Sequence, residues 1–249
     1  MFSPTELALE RGWPGRIEGE RVVQLAAQTL QAFFTGGGGA REHAEYPLAE
    51  CVLRAPVLQP PSVRVFTVFE PAPAPSFVFV NPFPVLGPDE ELRYPEGSNE
   101  LVFRAAVAAV VGAEGTIGGF TAANLWTARD LARAERADGC GPSKSADFGL
   151  SLGPVLVTPD GFTPTALRVN VNGESREQVA LETLAHGWPR LRDHAARNTT
   201  LRPGELLIAA APIGEGPALV PGDEVVIELD GVGALRSRIG ARALRGGAV

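Results

Sequence analysis

From Leu101 onward the chain repeats one pattern, an apolar run closed by glycine or proline, and this pattern most restricts its possible folds. Residues 101–111, 155–158, 167–171, 206–210 and 225–229 are such runs, rich in Val, Ile, Leu and Ala. Short apolar runs bounded by turn formers read as strands buried on both faces. In this part helical periodicity is confined to residues 125–136 and to the 178–197 region. The second is expected to break near Pro189, because proline removes a helix hydrogen bond and clashes with the preceding turn. The expected class is mainly β with few helices, an α+β arrangement in the form of a mixed β-roll.

The first part of the chain reads as a separate small β unit, residues 1–55, followed by a larger unit, residues 56–249. Arg16-Ile17-Glu18-Gly19-Glu20-Arg21-Val22-Val23 predicts two short strands joined at Glu18-Gly19, a tight-turn pattern. Residues 24–34 carry Leu25, Leu30 and Phe33 at helical spacing and predict a helix that stops at Gly36-Gly37-Gly38-Gly39. These four glycines are not followed by Lys-Ser or Lys-Thr, so they read as a helix exit and not a phosphate loop. Residues 63–66 and 77–80 predict strands, and the proline-rich stretch from Glu70 to Pro75 reads as an extended connector.

Charge and cysteine usage exclude several function classes. The formal charge of −7 opposes binding to nucleic acid or an anionic membrane, both of which need a basic surface. No apolar run approaches the roughly 20 residues that cross a bilayer, and Glu6, Glu10 and Glu18 break up any secretory signal. Two cysteines, Cys51 and Cys140, form neither a disulfide framework nor a metal spacing, which suits a cytoplasmic protein.

Three segments carry a resemblance. Lys144-Ser145-Ala146-Asp147 with Leu152-Gly153-Pro154-Val155-Leu156-Val157-Thr158 is one. Gly118-Gly119-Phe120-Thr121-Ala122-Ala123-Asn124 with Thr127-Ala128-Arg129-Asp130 is the second. Leu219-Val220-Pro221-Gly222-Asp223-Glu224-Val225 with Gly231-Val232-Gly233-Ala234-Leu235-Arg236 is the third. Together they resemble the "KSxD…LGPxxVT", "GYTxxND…ARD" and "LxPGDxVxxxIxGIGxLxN" stretches of the fumarylacetoacetate hydrolase family. Leu201-Arg202-Pro203-Gly204-Glu205 and Asn172-Gly173-Glu174 resemble two of its turns, in the same order. The resemblance implies a mixed β-roll, a homodimer, and Mg²⁺ or Mn²⁺ gripping a 2-oxo acid or β-dicarbonyl substrate. Such a hard cation takes oxygen ligands and stabilises a developing enolate.

The chain departs from the family at those ligands. Anchored on Gly112, the family's Glu-x-Glu pair falls on Arg104 and Ala106, and its third ligand, an Asp, falls on Leu125. No carboxylate lies one residue to either side. The family's "YxxH…E" stretch is here Thr67-Val68-Phe69-Glu70-Pro71, without histidine, and its "TGTPxGVG" loop becomes Ala209-Ala210-Ala211-Pro212-Ile213-Gly214-Glu215-Gly216. No metal and no other cofactor is expected.

Arg104 has two readings: an arginine paired with an acid such as Glu100 or turned outward, or a guanidinium standing where the cation stood, binding a carboxylate or enolate oxygen bidentately. Lys144 is either a substrate ligand or acid–base group, or a residue that holds its loop through Asp147. Phe69, Ala106, Leu125, Trp126 and Ala211 either line an apolar pocket or fill it. His43, His186 and His194 match no catalytic position of the family, and Cys140 lacks a base beside it. Two functions remain open. One is a metal-independent enzyme (an isomerase, cyclase, decarboxylase or C–C hydrolase) acting through Arg104 and Lys144 on an apolar carbonyl compound, as in specialised biosynthesis. The other is a non-catalytic member partnering an active relative.

Overall fold

A computed structural model describes residues 1–68 and 72–242. Two mixed sheets face each other. The larger has seven strands in the order Ser76–Val80, Val63–Thr67, Leu206–Ala210, Ala105–Val111, Ile117–Leu125, Leu150–Val157 and Val85–Leu86. The smaller has five, in the order Glu174–Ala180, Ala166–Val171, Glu224–Leu229, Gly233–Arg242 and Glu91–Tyr94. Most neighbours are antiparallel. The exceptions are Leu206–Ala210 beside Val63–Thr67, Leu150–Val157 beside Val85–Leu86, and Gly233–Arg242 beside Glu91–Tyr94.

Alternation along the Ala105–Val111 strand explains the layering. Ala105, Val107, Ala109 and Val111 face the smaller sheet and join Leu167, Val169, Ile227, Leu229 and Leu235 in the inner core. Ala106, Ala108 and Val110 face the other way, among Val63, Val65, Leu125, Leu152 and Ile208. Both faces are covered, so the strand is apolar at every position, all of it buried. Phe34, Ala55 and Val57, from the first 57 residues, cover the outer face. Phe34 fits there because Gly118 has no side chain; a Cβ at Gly118 would sit 2.6 Å from the Phe34 ring.

Several expected elements are placed differently. Leu25 ends the strand Arg21–Leu25, and the first helix, α1, spans only Leu30–Thr35, capped by Thr29 through Ala32 N–H. The 101–111 run divides into Leu101–Val102 and Ala105–Val111, with Arg104 outside both strands. Leu125 ends a strand, and the second helix, α2, is Arg129–Ala137. Pro189 begins the third helix, α3 (Trp188–Ala196), instead of breaking one; at the first turn its missing N–H has no partner to lose. The residues before it, Glu174–Ala180, form a strand. Asn172 and Gly173 make the tight turn before that strand, with φ of 53° and 80°.

Candidate functional site

A cavity of about 530 Å³ opens at one end of the outer face of the seven-stranded sheet. It is lined by Val65, Val80, Leu125 and Ala210 from four strands of that sheet, and by α2, the 140–146 loop and the 212–215 segment.

Helix α2 organises these walls through residues of two sequence motifs. Asp130, in its first turn, accepts from Ser98 Oγ at 2.6 Å and from Asn99 N–H at 2.8 Å, and so fixes the segment before the split strand. Arg129 donates to Glu100 at 2.8 Å and to the carbonyls of Gly214 and Gly216 at 2.8 and 2.9 Å, and so straps down the 211–216 loop. Glu135 accepts from Ser143 N–H, Ser145 N–H and Ser145 Oγ at 3.0, 2.9 and 2.5 Å, and so holds the 143–146 turn. Burial alone would raise the Glu135 pKa, but these donors outweigh it and hold the carboxyl below its ordinary value.

Arg104 lies in the cavity wall. Its backbone N–H donates to Asn124 Oδ1 at 3.0 Å, its carbonyl accepts from Leu125 N–H at 3.0 Å, and its Nε donates to the Ala211 carbonyl at 2.6 Å. Among the described residues no carboxylate pairs with its guanidinium. Glu100, the partner considered from sequence, is occupied by Arg129 and Arg133. Burial, and then repulsion from Arg136, lowers the Arg104 pKa to about 10, so it stays cationic at neutral pH.

The other sequence candidates are dispersed. Leu125 shares the cavity wall with Arg104. Ala211 contributes its carbonyl to Arg104, while its neighbours Ala210 and Pro212 form the wall. Ala106 is fully buried in the layer beneath the cavity and is not part of the wall. Trp126 lies in the inner core, fully buried, with Nε1 donating to Ser151 Oγ at 2.9 Å. It neither lines nor fills the cavity, being packed between the sheets while Leu125 belongs to the outer layer. Lys144 is 78% exposed and pairs with Asp147, outside the wall. Phe69 lies outside the described residues.

Sequence reasoning missed Arg129, Arg133, Glu135 and Arg136, all of which line the cavity. The arginines stand at i, i+4 and i+7, the spacing of one helix face, and that signal was present in the sequence.

The three positions matched to the family's carboxylates hold Arg104, Ala106 and Leu125, which supply no oxygen donor from their side chains. Among the described residues no three carboxylate, imidazole or thiol groups converge elsewhere. A divalent cation does not fit this set of residues.

Residues 62–240 match the family described as fumarylacetoacetate (FAA) hydrolase, C-terminal. Protein Rv2993c of Mycobacterium tuberculosis is 28% identical over 217 residues, 78% of this chain and 80% of that protein. The 4-hydroxyphenylacetate degradation bifunctional isomerase/decarboxylase of Escherichia coli is 29% identical over 69% of this chain. A mitochondrial oxaloacetate tautomerase of Xenopus laevis is 28% identical over 62% of it. The matches span only 42% and 54% of those two relatives. Among solved structures, a 5-carboxymethyl-2-hydroxymuconate delta-isomerase from Mycobacterium smegmatis superposes over 92% of this chain and 94% of its own, with TM-score 0.76 and 24% identity, a likeness of fold. With the family match spanning residues 62–240, most of the chain, the chain belongs to the fumarylacetoacetate hydrolase family.

Proposed function

We propose that this chain is a metal-independent enzyme of its family. In this reading Arg104 holds the carboxylate or enolate oxygen of a carbonyl acid. One observation carries it: an open cavity of about 530 Å³ has, in its wall, a half-buried guanidinium with no carboxylate partner among the described residues. It stands at the position matched to the family's first metal ligand. Relatives are named as an isomerase/decarboxylase and as an oxaloacetate tautomerase, and keto–enol tautomerisation by its nature places developing charge on an enolate oxygen. A fixed cation beside a developing enolate oxygen lowers the barrier by preorganised electrostatics, with no ion to recruit. Pro212, Ile213 and Leu125 give the guest an apolar surround that strengthens this attraction.

The non-catalytic reading has its own support. The carboxylates in the described wall are Glu135, already taken by three donors, and Glu215, whose side chain is 91% exposed; no histidine is there. A proton carrier is therefore not evident in the wall.

Two measurements on metal-stripped protein separate these readings. In a thermal-shift titration, oxalate should raise the melting temperature without Mg²⁺ or Mn²⁺, because a ligand bound only by the native state stabilises it. A rise that requires metal overturns metal independence. In deuterium oxide with EDTA, exchange at C3 of oxaloacetate should exceed the spontaneous rate and fall at least tenfold in Arg104→Gln. No exchange above background, with oxalate still bound, selects the non-catalytic reading.

A further inference from the structure

A second cavity, of about 760 Å³, lies between the first 57 residues and the outer face of the seven-stranded sheet. Gly118 borders it, whereas Leu125, seven residues along the same strand, borders the Arg104 cavity. At about 3.3 Å per strand residue the two openings are roughly 20 Å apart, so they are separate sites. Leu30 and Phe33 of α1 and Ile17 form one side of the second cavity, and Val155, Leu156 and Val157 the other. None of these six is fully buried, so apolar surface that packing would ordinarily cover faces open space. The four-glycine run explains why. Gly38 and Gly39 pass along the cavity without side chains, and a Cβ at Gly39 would meet nothing within 4 Å. The helix exit thus leaves the space beside α1 unfilled.

Charge decides the class of guest. Among the described residues one charged side chain, Arg16, lines this cavity, and no carboxylate does. The Arg16 guanidinium is already taken, donating to Glu18 at 2.7 Å and to Glu42 at 2.6 Å. An ionised guest would give up its water here and find no free counter-charge. An uncharged apolar guest gives up nothing and removes the lining from water. The volume lies within the range of roughly 300–1,000 Å³ that encloses small organic ligands. We infer that this cavity binds an uncharged hydrophobic small molecule, a hydrocarbon chain or ring system without an ionised group. The site is independent of Arg104 and of the reaction proposed there.

The experiment is a fluorescence titration of the full chain with N-phenyl-1-naphthylamine, an uncharged probe that brightens in apolar surroundings. Displacement by 1-decanol and by decanoate follows at pH 8, where the decanoate carboxyl is ionised. Binding should saturate at one probe per chain, and 1-decanol should displace it about tenfold more effectively than decanoate. Two variants keep the test independent of folding in either one. Ala40→Trp fills the cavity from its edge, and Ile17→Lys places a charge in its wall at a position already 39% exposed. Each should weaken the probe about tenfold with the melting temperature little changed, and Arg104→Gln should leave binding as it is. Binding that does not saturate, or that survives in Ile17→Lys, overturns the site, as does loss of the probe in Arg104→Gln. Equal displacement by decanoate overturns the uncharged class. A probe signal that falls as protein concentration rises, with a dimer that Ile17→Lys dissociates, overturns the small-molecule reading and gives the cavity to a second copy of the chain.

Discussion

Leu125 ends one strand and Trp126 follows it directly, and their surroundings differ completely. Trp126 enters the layer between the two sheets, where its bulk is enclosed and its one polar atom is satisfied by Ser151. Leu125 enters the outer layer and borders the cavity, beside a guanidinium and open space. The inner layer is filled by large side chains from both sheets. The outer one, at this end, is bounded by Val65, Val80, Leu125 and Ala210 and opens into the cavity. On the inner side each side chain is held by its neighbours. At the cavity, side chains face space, so their identity is set by what enters it.

The sharpest way to break this contrast is to empty one position on each side. Leu167→Ala, in the inner core, should cost about 4 kcal/mol in urea unfolding, because the gap cannot collapse. A second test asks whether the cavity end can carry the family's chemistry again. The triple change Arg104→Glu, Ala106→Glu and Leu125→Asp should create a response to Mn²⁺, worth about 2.7 kcal/mol at a hundredfold excess over its dissociation constant. Absence of any metal response in that variant would show that the geometry, and not only the ligands, has been lost. Third, Leu125→Ala should cost about 2 kcal/mol, the transfer of its methylenes alone, since the space beside it is already open. A cost equal to that of Leu167→Ala would erase the distinction between the two faces.

Smaller effects test how the walls are held. Glu135→Gln should cost about 1 kcal/mol by weakening charge-assisted bonds to the 143–146 turn. Because Glu135 titrates below its ordinary value in the folded chain, its contribution is complete above the unfolded value near 4.5. It is lost as pH falls through the lower folded value. The stability difference between Glu135→Gln and the parent should therefore vanish in acid. Smallest of all, Arg104→Met should change unfolding stability by less than about 1 kcal/mol, in either direction. Removing a half-buried cation without a carboxylate partner relieves as much as it loses. A large loss would mean that Arg104 is structural.

Legibility in the sequence followed the same division. The strand Leu206–Ala210 could be read because burial on both faces leaves an uninterrupted apolar run, and Val63–Thr67 and Ala166–Val171 because Val and Leu or Phe persist around Arg64, Arg168 and Asn170. Helix starts could not, since periodicity carried the reading across Leu25 while the local cap at Thr29 decides where α1 begins. The positions of Arg104 and Leu125 at the cavity were accessible through motif anchoring. That Trp126 turns inward and Lys144 turns to solvent depends on strand direction and loop path, which no spacing records. The partners of Glu100 were not legible for a related reason. Its partners come from α2, which is distant in sequence and brought close only by the fold.

The attachments of α2 have a consequence for how this cavity can change. One short helix is pinned to the segment before the strands through Asp130, to the 211–216 loop through Arg129, and to the 143–146 turn through Glu135. Three walls are thus mounted on a single beam, and none of the mounts involves the residues that meet a guest at the floor. Floor chemistry and wall position are therefore separate variables. A lineage can exchange carboxylates for an arginine at the bottom of the cavity without disturbing its outline, and a small tilt of the beam retunes its width without touching the chemistry.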